Sequence, residues 1–307
     1  MKRLIFSIIL IYTSLCALAQ GDSITLADPT IFKDADTYYL YGTGKANGFG
    51  VYTSTDLKSW KLNELNALTK GESFGTSGFW APQVFKHQNK YYMAYTANEQ
   101  IAIAEASSAM GPFKQQQLKH ITLSGKHIDP FVFKDTNGDF YLYFVRLTNG
   151  NRIYMARLNN NLTDIDSTTL KPCIAATEIW ENTANSNWPV TEGPTVVKIK
   201  NRYYMFYSAN DFRNIDYAVG YATAPSPLGP WKKYKGNPLI SRRITNQNGS
   251  GHGDIFKGND DKWYYVFHAH NTNSKVGPRK TALIKLKLTV DGNFETVPSS
   301  LRYLKNQ

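Results

Sequence analysis

Asp28-Pro29-Thr30-Ile31-Phe32-Lys33, followed after a polar turn by Tyr38-Tyr39-Leu40-Tyr41, is the stretch that decides the fold. It reads as a short apolar strand, a turn and an aromatic strand, hence a β-hairpin. The same unit returns four times. Ala81–Lys86 leads to Tyr91–Tyr95, and Asp129–Lys134 leads to Phe140–Tyr143. Gly193–Lys198 leads to Tyr203–Tyr207, and His252–Lys257 leads to Trp263–Phe267. The turns carry hairpin residues, as in Asp135-Thr136-Asn137-Gly138-Asp139. A further strand-like segment follows each hairpin, for example Ala102–Ala106, Ile153–Arg157 and Ala282–Leu286. The stretch before the next unit supplies a fourth strand. Four-stranded units recurring every 48 to 64 residues fit propeller blades. The expected fold is therefore all-β, a five-bladed β-propeller with four-stranded antiparallel blades. A β-sandwich of equal strand count is the alternative, but it gives no reason for one hairpin to recur five times.

Composition agrees with this reading. The 307 residues include 20 Tyr, 16 Phe and 6 Trp. That excludes intrinsic disorder, and two cysteines exclude a disulfide scaffold. No Pro/Gly/Ser linker divides the chain, so residues 20–307 are expected to form one catalytic-sized domain. Residues 1–19 read as a secretory signal: Lys2 and Arg3, an apolar run from Leu4 to Leu15, then Ala17-Leu18-Ala19. Cys16 raises a lipoprotein signal as the alternative, against which Leu15 is larger than the residue preferred there. The expected location is secreted or periplasmic, with no membrane span. Cleavage would remove two basic residues, taking the net charge from +11 to +9. No block of five like charges accompanies it, so nucleic acid is not an expected partner. Cleavage would also leave Cys173 alone. It is read as lying in a loop after Pro172, without a matched base that would make it a nucleophile.

Aligning the five units on their shared lysine exposes the candidate site. Five residues before it stand Asp28, Ala81, Asp129, Gly193 and His252. Six residues before it stand Ala27, Trp80, Ile128, Glu192 and Gly251. These positions enter the first strand of each blade, which lines a propeller's central channel. Asp28, Asp129, Glu192, His252 and Trp80 should converge on one mouth of that channel. Asp before Pro is a common turn initiator on its own. Here the proline recurs while its neighbours diverge in chemistry, which a folding requirement does not explain. Two carboxylates flanking a bond are the working parts of glycoside hydrolysis. A third negative charge nearby raises the acid's pKa.

With these motifs the chain resembles glycoside hydrolase family 43, five-bladed propeller enzymes acting on arabinose- and xylose-containing polysaccharides. The resemblance rests on Ala27-Asp28-Pro29, Trp80-Ala81-Pro82, Ile128-Asp129-Pro130-Phe131, Glu192-Gly193-Pro194 and Gly251-His252-Gly253, in the family's order. It implies Asp28 as general base, Glu192 as general acid, and Asp129 as the residue that raises and orients the acid. It implies inversion in one step. Trp80 is implied as a sugar platform, and Ile128 and Phe131 as pocket wall. Arg279 resembles a family arginine that reaches the sugar from the last blade, although Pro278 stands where the family usually shows Gly. His252 resembles the family's histidine beneath the sugar. The resemblance requires no cofactor, but allows a structural calcium ion in the channel with His252 and waters as ligands. His268 and His270 share a strand face and are read as packing or rim residues. The five repeated lysines are read as strand-end surface residues. The segment 171–191, with Trp180 and Trp188, is expected to wall the leaving-group side.

The implied activity is a hydrolase releasing terminal or branching pentose units from plant oligo- or polysaccharide, first an α-L-arabinofuranosidase. A β-xylosidase uses the same motifs. An exo-galactanase of the family tends to lack the base, which Asp28 supplies here. A non-catalytic glycan-binding propeller, and a retaining hydrolase or phosphorylase of fructosides or mannosides, are the readings of other classes. A monomer is expected.

Overall fold

The computed structural model describes residues 22–121 and 123–307. The expected signal segment lies outside the described residues. Five antiparallel sheets form the blades of a five-bladed propeller. Blade 1 contains Ala27–Asp34, Thr37–Thr43, Tyr52–Ser54 and Ser59–Leu62. Blade 2 contains Trp80–His87, Lys90–Ala97 and Gln100–Ala106. Blade 3 runs through His127–Lys134, Phe140–Leu147, Asn151–Leu158 and Ile165–Ile174. Blade 4 has Thr191–Ile199, Arg202–Ala209, Ala218–Ala224 and Lys232–Lys233. Blade 5 has Gly251–Lys257, Trp263–Ala269, Lys280–Leu288 and Phe294–Tyr303.

Blade 2 departs from the four-stranded pattern. Its outer place is reduced to one bridge between Glu105 and Lys114. A side chain replaces part of the missing strand: Gln115 Nε2 donates to the Ile103 carbonyl at 2.9 Å. Cys173 also departs from expectation. It lies in the outer strand Ile165–Ile174, where burial pushes its thiol up to about 12.

The aromatic runs are explained by burial on both faces. In the second strand of each blade, alternate residues enter two different interblade cores. Met93 and Tyr95 pack against blade 1, while Ala94 faces blade 3. Tyr143 and Val145 face blade 4, while Leu142 and Phe144 face blade 2. Such a strand has no solvent face and reads as a continuous apolar run. Five cores fill the five gaps between blades. Both chain ends close the ring. Ile24 N–H donates to the Leu304 carbonyl at 2.9 Å, and Lys305–Asn306 pairs in parallel with Ser59–Leu62 of blade 1.

Each inner strand begins with a β-bulge that places one residue in the left-handed region. These residues are Asp28 (φ 48°), Ala81 (46°), Asp129 (55°), Gly193 (58°) and His252 (42°). The bulge turns the N–H of that residue away from its own sheet and towards the preceding blade. Ala81 N–H donates to Thr43 Oγ1 at 2.9 Å, Asp129 N–H to Thr96 Oγ1 at 3.0 Å, and His252 N–H to Ser208 Oγ at 2.7 Å. Asp28 N–H donates to His268 Nδ1 at 3.1 Å. Two residues further along, a second polar layer ties the inner strands. Asp254 accepts hydroxyls from Thr30 and Thr195 of its two neighbouring blades, and Gln83 bonds both backbone groups of Val132. Two of the repeated lysines also reach the preceding hairpin, Lys86 to Asp34 at 3.1 Å and Lys198 to Asp135 at 2.8 Å.

Replacing an acceptor in this seam should therefore loosen the ring. Thr96 is fully buried. Thr96→Val keeps its shape but leaves the Asp129 N–H unpaired, a loss of about 1–3 kcal/mol. The expected outcome is a melting temperature lower by about 2–12 °C, read by calorimetry. An unchanged melting temperature would show that the seam bond contributes nothing.

Candidate active site

The bulges bring the chemistry together. Asp28, Asp129, Glu192 and His252 meet at one mouth of the channel, at the floor of a pocket of about 480 Å³. Trp80, Ile128 and Arg279 stand in its wall. Phe131 does not. It follows the bulge by two residues and lies one layer deeper, around the channel beside Thr30, Gln83 and Asp254. Trp188 walls the pocket, whereas Trp180 packs on Tyr207 in the core between blades 3 and 4. A groove of about 370 Å³ on the outer side of blades 2 and 3 holds none of these groups.

Asp28 is the most heavily engaged carboxylate. Oδ2 accepts the Thr43 hydroxyl at 2.7 Å, and Oδ1 lies 3.2 Å from Arg279 Nη1 and 3.3 Å from His252 Nδ1. Burial works to raise its pKa, but Arg279, His252 and the Thr43 hydroxyl outweigh burial and hold it below the usual value. Asp28 is therefore ionised. Asp129 accepts the Gly193 N–H at 3.1 Å and lies 3.9 Å from His252 Nδ1. Burial, together with repulsion from Glu192 and Asp28, outweighs His252 and pushes Asp129 up to about 7. Glu192 accepts Tyr217 Oη at 2.7 Å and Asn151 Nδ2 at 2.9 Å. Its pKa is also raised, by burial first and by the Asp28 charge, against His252 and these two donors. Burial thus pushes both Asp129 and Glu192 towards their protonated forms. Burial opposes charge on His252, but three surrounding carboxylates raise its pKa above the usual value.

Gly193 is needed for a steric reason as well as its positive φ. A Cβ there would stand 2.6 Å from the His252 ring. The imidazole packs directly on the Gly193 backbone, which presents its N–H to Asp129.

Several residues at the site were not read from the sequence as part of it, among them His268, Tyr217, Asn151 and the pocket-lining Phe212. His268 is fully buried, stacks on Tyr217, and sits between Asp28 and Arg279. Burial and the nearby Arg279 charge hold its pKa well below the usual value, so the ring is neutral and accepts from one neighbour at a time. It occupies the repeat position of Thr43, Thr96 and Ser208, which is the signal that marks it. Tyr217 and Asn151 share one repeat position, the entry to the third strand, where Arg279 stands in blade 5 and Glu99 in blade 2.

A calcium ion on His252 would be held largely by water. Among the described residues no three His, Cys, Asp or Glu side chains converge as ligands. The void below His252 is about 30 Å³, space for one or two waters. Asp254 at its edge already accepts two hydroxyls.

The comparisons with known proteins agree with this geometry. The model of the glycosyl hydrolases family 43 matches residues 23–294. A solved endo-1,4-beta-xylanase from Bacteroides thetaiotaomicron is 38% identical, with a TM-score of 0.87 over 93% of this chain and 98% of that one. A thermostable family-43 glycoside hydrolase is 34% identical, with a TM-score of 0.83 over 91% and 95%. The extracellular endo-alpha-(1->5)-L-arabinanase 1 of Bacillus subtilis is 25% identical over 283 residues, 83% of each chain. A family model spanning nearly the whole ring, and close structural relatives aligned along it, leave one assignment: the chain belongs to glycosyl hydrolase family 43 and is a glycoside hydrolase.

Proposed function

We propose that the protein is an inverting hydrolase of pentose-containing glycans, first an α-L-arabinofuranosidase that releases terminal or branching units. One observation carries the reading. A carboxylate held below its usual pKa, Asp28, and two raised above theirs, Asp129 and Glu192, stand at the floor of one pocket with Arg279 and His252 beside them. Asp28 takes a proton from the water that attacks the anomeric carbon. Glu192 gives a proton to the departing oxygen, and Asp129 supplies the negative neighbour that keeps that proton in place. Such a step needs room for a water, with acid and base about 6.5–9.5 Å apart. The pocket is of small-ligand size, which favours a short substrate segment over a long chain.

The second reading is action on xylose, as a β-xylosidase, or cleavage within a chain. Relatives bear names of both kinds, including a Bacteroides ovatus xylosidase/arabinosidase and the Bacillus subtilis endo-arabinanase. We also propose export to the periplasm or medium, supported by the signal-like residues 1–19 and by relatives named as extracellular.

A panel of aryl pentosides, arabino-oligosaccharides and xylo-oligosaccharides tests the proposal. The expected result is free arabinose with the inverted anomer first, followed by NMR. Release of xylose alone, or of oligosaccharides from linear polymer, selects the second reading. Asp28→Ala and Glu192→Ala should each lower the rate by about 10²–10⁴-fold while sugar binding persists. Full activity in either variant would overturn the assignment of roles.

The electrostatics predict a bell-shaped pH profile of kcat/KM. Its acid limb reports Asp28, which must be ionised, and its alkaline limb reports loss of the Glu192 proton, whose pKa burial raises. Arg279 holds the Asp28 pKa down. Arg279→Met should therefore move the acid limb to higher pH. An unmoved acid limb would separate Asp28 from that limb.

A further inference from the structure

Glu192 is gripped by a chain of groups that begins at the pocket wall. Trp188 Nε1–H donates to Asn151 Oδ1 at 2.9 Å, and Asn151 Nδ2 donates to Glu192 Oε2 at 2.9 Å. The indole bond fixes the amide. With Oδ1 taken by Trp188, Asn151 has only N–H to offer Glu192. The two partners are also joined through the backbone. Asn151 N–H donates to the Pro189 carbonyl at 2.9 Å, and Thr191 Oγ1 donates to the Asn151 carbonyl at 3.1 Å. Asn151 opens the third strand of blade 3, and Trp188 precedes the inner strand of blade 4. The relay therefore spans the seam on which Glu192 sits. Trp188 is 48% exposed and faces the pocket, so it is open to substrate.

We propose that Asn151, locked by Trp188, is a positioning residue for proton donation, and that Trp188 is the platform for the leaving group. The inference rests on the reading of Glu192 as general acid. The acid stands beside the departing oxygen, so the wall bonded to it is the leaving-group wall. An amide that can only donate favours the carboxylate left after transfer, and so eases release of the proton. It also holds Glu192 in one orientation. Tyr217 grips the other oxygen from the core side and has no exposed face for substrate. A leaving group stacked on Trp188 would be registered at Glu192 through two hydrogen bonds.

The test compares two substrates of the preferred pentose. A dinitrophenyl leaving group departs without protonation, whereas an unsubstituted phenyl group requires it. Asn151→Ala should lower kcat on the phenyl glycoside on the order of 10- to 100-fold. Its loss on the dinitrophenyl glycoside should be much smaller. Its alkaline limb should move to higher pH, because a donor to the carboxylate is gone. Trp188→Phe keeps the ring, removes the N–H, and should show the same discrimination more weakly. It alters an exposed side chain, so it keeps the test open if Asn151→Ala fails to fold. Glu192→Gln is the reference and should show the largest discrimination between leaving groups. If it does so while Asn151→Ala and Trp188→Phe lose equally on both substrates, the relay is overturned and the acid stands. If Glu192→Gln itself shows no discrimination, the acid reading fails and the relay falls with it.

Discussion

The hydrogen bond from each bulged inner strand to the blade before it is the constraint on which the molecule depends. Inner strands of neighbouring blades share no backbone ladder, so side chains must join them. Four of the five bulge N–H groups find acceptors on the second strand of the preceding blade: Thr43, Thr96, Ser208 and His268. The fifth meets Val145, the residue of blade 3 paired with Ile128, which has no acceptor to give. There the Gly193 N–H turns to the Asp129 carboxylate instead. The one gap in the structural seam is closed by a residue of the site. Left-handed backbone costs a non-glycine residue about 1–2 kcal/mol. Asp28, Asp129 and His252 bear that strain because the bulge directs them into the pocket.

The same seam sets the charge balance. Three carboxylates, Asp28, Asp129 and Glu192, face His252 and Arg279, and the raised pKa values of Asp129 and Glu192 reduce the negative charge that the floor must hold. A floor so balanced tolerates burial that would expel isolated ions. The balance is assembled from blades 1, 3, 4 and 5. Arg279 precedes the third strand of blade 5, and the next turn of that strand is tied to the chain start through Thr281 Oγ1, which accepts the Leu26 N–H at 3.1 Å. Arg279 reaches Asp28 only where the last blade meets the first. Closure of the ring thus brings to Asp28 one of the cations that favour its ionised form.

The blades were legible in the sequence because a hairpin is short-range and each of its faces shows in the period of its residues. The convergence of Asp28, Asp129, Glu192 and His252 was legible because repetition converts distant positions into neighbours. Phe131, which the family resemblance implied as pocket wall, lies one layer deeper because the bulge at Asp129 and Pro130 turns the strand there. His268 was visible as one of an alternating pair, yet its acceptor role emerges only when it is compared with Thr43, Thr96 and Ser208. Asn151 and Tyr217 stand at the entry to the third strand of blades 3 and 4, the place that Glu99 and Arg279 take in blades 2 and 5, but no shared motif marks that entry in the sequence.

The pocket is built in two parts. Its floor comes from inner strands, which the ring fixes. Its walls come from connecting segments, such as Trp188 before blade 4's inner strand and Phe212 after that blade's second strand. Walls can vary without opening the ring, which lets sugar preference change while the carboxylates stay. The separation is incomplete, however. The Phe212 ring lies 4.6 Å from the Arg279 guanidinium, and its carbonyl is 2.8 Å from His270 Nε2. Arg279 in turn holds the Asp28 carboxylate. A wall residue therefore supports the cation that lowers the Asp28 pKa. Altering this loop would move that pKa together with the shape of the pocket wall, so the two are coupled through one arginine.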